Sequence, residues 1–185
     1  MFSGKSEELI RRLKRATYAD QNVLIVKPVK DTRTEKKVAS RRKNDKSERG
    51  FEESDSFPAH EINSAQELAD LIAQHRPDVL AIDEAQFFEE WLPEQIHELL
   101  GKRGNSVFTI IISGLDMDHR TKPYGIMPQL MAMADEVIKL TAVCFACKKR
   151  PANLTCKTGG SSDKQTEIGS KIYGARCRIC HELPE

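Results

Sequence analysis

Apolar residues recur at helical spacing in several segments of the chain. In each segment they alternate with charged or polar residues, as on a helix with one buried face. The second segment also begins with a capping box, in which a Ser hydroxyl and a Glu three residues later satisfy free N–H groups. The helical patterns lie at residues 6–20, from Ser64-x-x-Glu67 to about Pro77, through Ile96 to Leu100 before Gly101 and Gly104, and at 127–134.

Short, continuous apolar runs lie between these patterns. They occupy residues 23–26, 79–82, 107–112 and 137–140. Runs of this kind are typical of strands that are buried on both faces of a parallel sheet. The alternation of strand and helix predicts an α/β fold with helices covering both faces of one sheet.

Residues 35–57 differ from both patterns. They carry seven Lys and Arg residues mixed with acids and almost nothing that could be buried. This composition predicts a mobile surface loop.

The chain of 185 residues suits one main core with a small appendage. Its 29 basic and 28 acidic residues leave a formal charge of +1, which by itself demands neither nucleic acid nor an anionic membrane as partner. The apolar runs are too short to span a bilayer, and the N-terminus has no apolar signal core. We expect a soluble, cytoplasmic protein.

Gly4, Lys5 and Ser6 match the end of the phosphate loop G-x-x-x-x-G-K-[ST]. In that loop backbone N–H groups surround phosphates, the lysine contacts the β and γ oxygens, and the hydroxyl binds magnesium. The first glycine would fall before Met1, so we expect the chain to lack the start of the loop and the strand before it. The tripeptide alone is equally compatible with an ordinary helix start.

Asp83 and Glu84 follow the apolar run at 79–82. Such a pair lies at the carboxyl edge of a parallel sheet, where α/β proteins bind ligands. An aspartate there can hold magnesium, and an adjacent carboxylate can accept a proton from an attacking hydroxyl. A solvated acidic pair that closes a strand is the alternative. Phe87 and Phe88 next to it favour function, because aromatic rings stack on bases.

Four of the five cysteines form two C-x-x-C pairs, Cys144 with Cys147 and Cys177 with Cys180. Two such pairs supply four thiolates for a closed, tetrahedral and therefore structural zinc site. Four unrelated free cysteines are the alternative, and His181 could compete as a ligand. Cys156 is the odd cysteine, and this usage suits a reducing compartment.

Five motifs occur in order along nearly the whole chain: M-F-S-G-K-S, K-x-x-K-D-T-R, I-D-E-A-Q-F-F, L-D-x-x-x-R-x-K-P-Y-G and K-L-T-A-V-C-x-x-C. Together they resemble the type II thymidine kinases. The resemblance implies a RecA-like P-loop core over residues 1–140 and a zinc-ribbon and lasso domain over 141–185. It also implies transfer of the γ-phosphate of ATP to the 5′-hydroxyl of thymidine, giving dTMP in pyrimidine salvage for DNA synthesis.

The resemblance assigns roles to the motif residues. Glu84 matches the catalytic base that takes the proton from the 5′-hydroxyl. The residues implied to bind ATP are Ser3, Gly4, Lys5, Ser6, Arg33, Asp83 and Gln86, and those implied to bind magnesium are Ser6, Asp31 and Asp83.

The thymidine site is implied to lie under a lasso at residues 150–176 that is fixed by the zinc. Its expected residues are Met1, Phe87, Leu115, Tyr124, Thr155, Ile168, Gly169 and Tyr173. Ser170 and Cys156 depart from the usual lasso pattern, and His119 stands where relatives can have an aromatic residue. The resemblance further implies a homotetramer that dTTP inhibits, and it leaves thymidine against deoxyuridine open.

Three alternatives remain at this stage. Without its upstream glycine and strand the chain could be a catalytically impaired relative, and restoring about ten upstream residues should then rescue activity. Another P-loop phosphotransferase with a different acceptor would share Asp83 and Glu84. A zinc-ribbon module that binds nucleic acid is disfavoured by the neutral charge balance and the scarcity of aromatics near the basic residues.

Overall fold

A computed structural model describes residues 1–30, 36–39, 56–101, 109–158 and 172–181 of the chain. The helices in these ranges are α1 (Lys5–Tyr18), α2 (Ala65–His75), α3 (Trp91–Gly101) and α4 (Met127–Met133), with a 3₁₀ turn at Ala85–Phe87. The strands are β1 (Val23–Pro28), β2 (Lys37–Ala39), β3 (Ser56–Pro58), β4 (His60–Ile62), β5 (Val79–Ile82), β6 (Thr109–Ile112), β7 (Ala142–Val143), β8 (Pro151–Ala152), β9 (Leu154–Lys157) and β10 (Tyr173–Arg176).

A parallel sheet in the order β4-β1-β5-β6 forms the centre of the fold. All four residues of β5 are buried, as expected for a strand covered on both faces. One face packs against α1, where Leu9 and Leu13 meet Ile25 and Ala81. The other face packs in one cluster with residues of α2, α3 and α4. The predicted α/β class with helices on both faces is confirmed.

The capping box that the sequence predicts starts α2. The Ser64 hydroxyl accepts a hydrogen bond from the Glu67 N–H at 3.3 Å, and the Glu67 carboxylate accepts one from the Asn63 N–H at 2.7 Å. The helix ends at Arg76, whose left-handed φ of 44° turns the chain into Pro77. Helix α2 therefore has the start and the end that its sequence predicts.

Two predictions from the apolar pattern are wrong. Residues 137–140 form no strand, and Val137 and Ile138 are 46 % and 49 % exposed. An apolar run becomes a strand only beside another strand, and none of the described strands pairs with this segment. The prediction that the charged stretch at 35–57 has almost nothing to bury is also wrong at its described ends, where β2 pairs with β3 and Val38 packs against α1. Residues 40–55 of this stretch lie outside the described residues, so the predicted loop there stays a prediction.

Two antiparallel pairs, β7 with β8 and β9 with β10, follow the sheet along the chain. Their shared cluster contains Ala142, Ala152 and Ala175 together with cysteines. These residues are small, so the cluster has little apolar side-chain area with which to hold the strands together. Across the described ranges, no helix has the length and apolar character needed to cross a bilayer.

Candidate active site and metal centre

The carboxyl ends of β1, β5 and β6 bring Asp83 and Ser113 side by side. The Asp83 N–H donates to the Val26 carbonyl at 3.0 Å, and the Ser113 N–H donates to the Ile82 carbonyl at 2.8 Å. Both residues therefore extend the strand pairing by one position. Asp83 Oδ1 and Ser113 Oγ are buried without a hydrogen-bond partner in the described part of the chain. Oxygens in this state are suited to a cation or to a ligand's donor group.

Burial is the main influence on the Asp83 carboxyl, and it raises the pKa of Asp83 above the ordinary value of 3.8. The positive charge of Lys5 opposes this rise, and the negative charge of Glu84 adds to it. The carboxylate thus lies in a site where a further positive charge would be stabilising. A divalent cation would supply that charge.

Glu84 lies beside Asp83 in a constrained backbone conformation. Its φ of 51° and ψ of 43° are left-handed, which is uncommon for a residue other than glycine. Glu84 is 7 % exposed, and its two carboxylate oxygens have different partners. Oε1 lies 3.5 Å from Lys5 Nζ, and Oε2 accepts a hydrogen bond from Gln86 Nε2 at 2.6 Å. The carboxylate is therefore held in one orientation next to a cation.

The predicted helix at the phosphate-loop residues begins at Lys5. Gly4 precedes it with a left-handed φ of 79°, a conformation that glycine adopts without strain. The free N–H groups at a helix N-terminus attract anions. Because Lys5 reaches Glu84, an anion bound at this helix start would lie next to the two carboxylates.

The loop after β6 forms a wall beside Glu84. The Leu115 N–H donates to Gln86 Oε1 at 3.0 Å, and the ring of Tyr124 meets that of Phe87 edge-on with centroids 6.0 Å apart. Asp118 shapes the loop by accepting from the N–H groups of Arg120 and Lys122, each at 2.9 Å. The predicted residues Phe87, Leu115 and Tyr124 are thus brought into one region.

The pair of β9 and β10 lies against the same region. The Met1 amine donates to the Thr155 hydroxyl at 3.1 Å, and the Thr155 carbonyl lies 3.2 Å from His181 Nε2. Tyr173 of β10 lies against His119, with ring centroids 6.0 Å apart. Thr155 therefore lies near the start of the chain, and Tyr173 lies near the loop that follows β6.

Four cysteines form a group that could hold a metal ion. The sulfur atoms of Cys144, Cys147, Cys177 and Cys180 all lie within 4.8 Å of one another. Backbone N–H groups, chiefly that of Cys147, lower the pKa of Cys144 to about 6, whereas a hydrogen bond with Cys177 raises the pKa of Cys180 to about 12. His181 is directed to Thr155 and is not in the group. The ring contact of Phe2 with Phe145, 5.0 Å between centroids, joins this region to the start of the chain.

Some predicted site residues lie outside the described residues: Asp31, Arg33, Ile168 and Gly169. The sequence reasoning also missed residues that the fold places at the sheet edge. Ser113 directly follows the apolar run at 107–112, just as Asp83 follows the run at 79–82. The rule that ligands bind at the carboxyl ends of parallel strands could therefore have found Ser113 too. Lys27 is almost fully buried and pairs with Glu61 at 3.3 Å, and no motif indicated this.

Comparison with known proteins gives consistent matches over nearly the whole chain. The family profile described as thymidine kinase matches residues 1–181. A thymidine kinase of Mesomycoplasma hyopneumoniae (strain 7448) is 40 % identical over 185 residues, which cover 99 % of this chain and 91 % of that protein. A thymidine kinase of Mycoplasmoides gallisepticum is 32 % identical over 195 residues, which cover 100 % of this chain and 78 % of that protein.

Proposed function

The chain belongs to the thymidine kinase family, and on this basis we propose that it transfers the γ-phosphate of ATP to the 5′-hydroxyl of thymidine. The proposal depends chiefly on one observation: Lys5 Nζ lies 3.5 Å from Glu84 Oε1, next to the buried Asp83. A phosphate-binding cation, a carboxylate placed to act as a base and a metal-binding carboxylate are the parts that phosphoryl transfer needs.

ATP is proposed to bind at the start of α1. Ser3, Gly4 and Ser6 surround Lys5 there, so backbone N–H groups and the ammonium meet the phosphates together. Because Lys5 also reaches Glu84, the transferred phosphoryl group would lie next to that carboxylate. Arg33, outside the described residues, is proposed to contact the phosphates as well.

Magnesium is proposed to bind Ser6, Asp31 and Asp83. The buried Asp83 Oδ1, which has no partner among the described residues, fits a hard cation that prefers oxygen ligands. When bound with ATP, magnesium would neutralise charge on the phosphate oxygens.

Glu84 is proposed to be the catalytic base. Its carboxylate accepts the proton of the 5′-hydroxyl while that oxygen forms a bond to the γ-phosphorus and the bond to ADP breaks. Glu84 is 7 % exposed, so little bulk water reaches the carboxylate that is proposed to take the proton. The fixed orientation of the two Glu84 oxygens suits this single transfer.

Thymidine is proposed to lie between the loop after β6 and the β9–β10 pair. Phe87, Leu115 and Tyr124 supply one wall, and Thr155 and Tyr173 supply the other, with Met1 between them. Ile168 and Gly169 of the lasso complete the proposed site. Deoxyuridine lacks one methyl group of thymidine, and a single methyl group changes binding by only about 1–3 kcal/mol. Deoxyuridine is therefore proposed to be a substrate that binds more weakly than thymidine.

The metal of the cysteine group is proposed to be zinc with a structural role. Four sulfur ligands are the donor set that structural zinc prefers, and they leave no open position for catalysis. The small residues around the cysteines make the metal the main stabilising element of this part. Residues 141–185 are accordingly proposed to be a zinc domain attached to a kinase domain at 1–140.

Further properties are proposed from the family resemblance. The chain is expected to form a homotetramer and to be inhibited by dTTP, and the reduced thiols favour a cytoplasmic location in nucleotide salvage. Light scattering during size-exclusion chromatography tests the assembly. A dTTP titration of the initial rate tests the inhibition.

The proposed function is tested by supplying γ-labelled ATP, magnesium and one nucleoside at a time. We expect label in dTMP with thymidine, less label with deoxyuridine, and none with purine deoxynucleosides or ribonucleosides. ATP hydrolysis without a labelled nucleotide product would instead indicate an ATPase. Transfer to an unrelated acceptor would reject thymidine as the substrate.

A further inference from the structure

Gln86 uses both ends of its side-chain amide within the protein. It is 3 % exposed, its Nε2 donates to Glu84 Oε2 at 2.6 Å, and its Oε1 accepts from the Leu115 N–H at 3.0 Å. The partners determine which end of the amide faces which group, because an ionised carboxylate only accepts and a backbone N–H only donates. Gln86 therefore joins the carboxylate of Glu84 to the loop after β6.

The backbone around Gln86 supports this connection. Glu84 has the left-handed φ of 51°, and the Ala85 N–H donates to the Ser113 carbonyl at 2.9 Å. The chain thus turns sharply after Asp83, which brings the side chain two residues later back over the Glu84 carboxylate. A hydrogen bond across such a turn helps to hold a backbone conformation that is strained for a non-glycine residue.

Two glycines keep the space around Gln86 open. A Cβ on Gly114 would lie 3.0 Å from Gln86 Oε1 and 2.7 Å from Met127 Sδ. A Cβ on Gly125, whose φ is 48°, would lie 2.9 Å from the Gln86 carbonyl oxygen. Side chains at these positions would displace Gln86, so the surrounding loop is fitted to the amide.

We infer that Gln86 is a positioning residue that fixes the orientation of the Glu84 carboxylate and ties it to the loop carrying Leu115. This inference rests on the proposed function for the role of Glu84, and it names a residue that acts through the base. ATP contact was the role expected for Gln86 from the resemblance. Both ends of the Gln86 amide are bonded to protein atoms. Positioning of Glu84 therefore explains the burial of Gln86 more directly than contact with ATP does.

The charged groups that face Glu84 come from several elements. Lys5 approaches from α1, Asp83 precedes it at the end of β5, and the Met1 amine lies near enough for their charges to interact. None of these groups changes in Gln86→Met, and the difference between this variant and the parent therefore isolates the amide.

The test is amide hydrogen exchange at Leu115 on the full chain, read together with kcat. In Gln86→Met, a variant of similar length without the amide, we expect the Leu115 amide to exchange at least about tenfold faster, because it loses its acceptor. Gln86→Glu keeps an acceptor for Leu115 but removes the N–H donor to Glu84. It should keep the slow exchange at Leu115 while kcat falls.

Gln66→Met is the matched control. Gln66 donates to the Asp70 carboxylate at 2.7 Å on an exposed part of α2, so the same kind of bond is removed away from the site. Its Leu115 exchange rate and its kcat should equal those of the parent. A parent-like exchange rate at Leu115 or a parent-like kcat in folded Gln86→Met would overturn the inference. If Gln86→Met does not fold, a parent-like kcat in Gln86→Glu would overturn it.

Kinetics separate this inference from the proposed function. We expect kcat to fall in both Gln86 variants with little change in the KM for ATP, because the amide acts through Glu84 and not on ATP. A parent chain that phosphorylates no nucleoside would refute the proposed function. The exchange rate of the Leu115 amide would still decide whether Gln86 ties the turn at Glu84 to the loop after β6.

Discussion

Asp83 shows how one residue can serve a site and weaken the fold. Its carboxyl is buried and has an oxygen without a partner among the described residues, and burial raises its pKa. The folded chain then binds the proton more tightly than the unfolded chain does. Ionisation of Asp83 therefore lowers the free energy of unfolding. This loss is absent at a pH below 3.8, the ordinary pKa that applies to the unfolded chain, and it is complete at a pH above the raised pKa of the folded chain.

For Asp83→Asn we expect a melting temperature above that of the parent at neutral pH. The gain should shrink as the pH falls towards 3.8, because the parent carboxyl then becomes neutral too. Activity should fall at the same time, since an amide cannot replace a carboxylate at magnesium. Calorimetry across pH measures this, with Asp70→Asn on the exposed side of α2 as control. A gain that does not vary with pH would contradict the assigned cause.

At the scale of elements, the turn after β5 and the loop after β6 depend on glycine at Gly125. Its left-handed φ of 48° and the 2.9 Å approach to the Gln86 carbonyl leave no room for a side chain. Gly125→Ala should cost about 1–3 kcal/mol of unfolding free energy and reduce kcat. Gly101→Ala is the matched control, because nothing lies within 4 Å of its added Cβ. It should be neutral or stabilising by about 0.5 kcal/mol, as measured by urea unfolding.

Elements were predictable from sequence where local chemistry determines them. The capping box gave the start of α2, and the run at 79–82 gave β5 with Asp83 and Glu84 after it. Residues 137–140 were mispredicted because strand formation depends on a neighbour that an apolar run cannot reveal. The contact of Gln86 with Leu115 joins positions 29 residues apart and depends on the sheet order.

At the scale of the whole molecule, the four cysteines connect stability with substrate binding. They hold the region from which Thr155 and Tyr173 reach the start of the chain and the loop after β6. The spacing of the two cysteine pairs predicted this group correctly. The orientation of the cysteine group relative to the start of the chain could not be predicted from this spacing. That orientation depends on contacts between distant residues, such as the ring contact of Phe2 with Phe145.

Cys147→Ser should lose the metal and raise the KM for thymidine more than the KM for ATP. The reason is that Thr155 and Tyr173 of the proposed thymidine site lie on β9 and β10 next to the cysteines, whereas the proposed ATP residues Lys5 and Ser6 lie on α1. Cys156→Ser is the matched control, since Cys156 is outside the group and should keep about one zinc per chain. Elemental analysis and the two KM values measure this. Equal zinc loss in both variants would count against the assigned ligands.

The most direct test of the whole account is the single-turnover rate of dTMP formation by Glu84→Gln with saturating ATP, magnesium and thymidine. A positioned base contributes about 10²–10⁴-fold, so we expect a loss of that size. Glu89→Gln, at a largely exposed neighbouring carboxylate, should keep the parent rate. A Glu84→Gln rate close to that of the parent would contradict the account, because the carboxylate held by Lys5 and Gln86 would then not collect the proton.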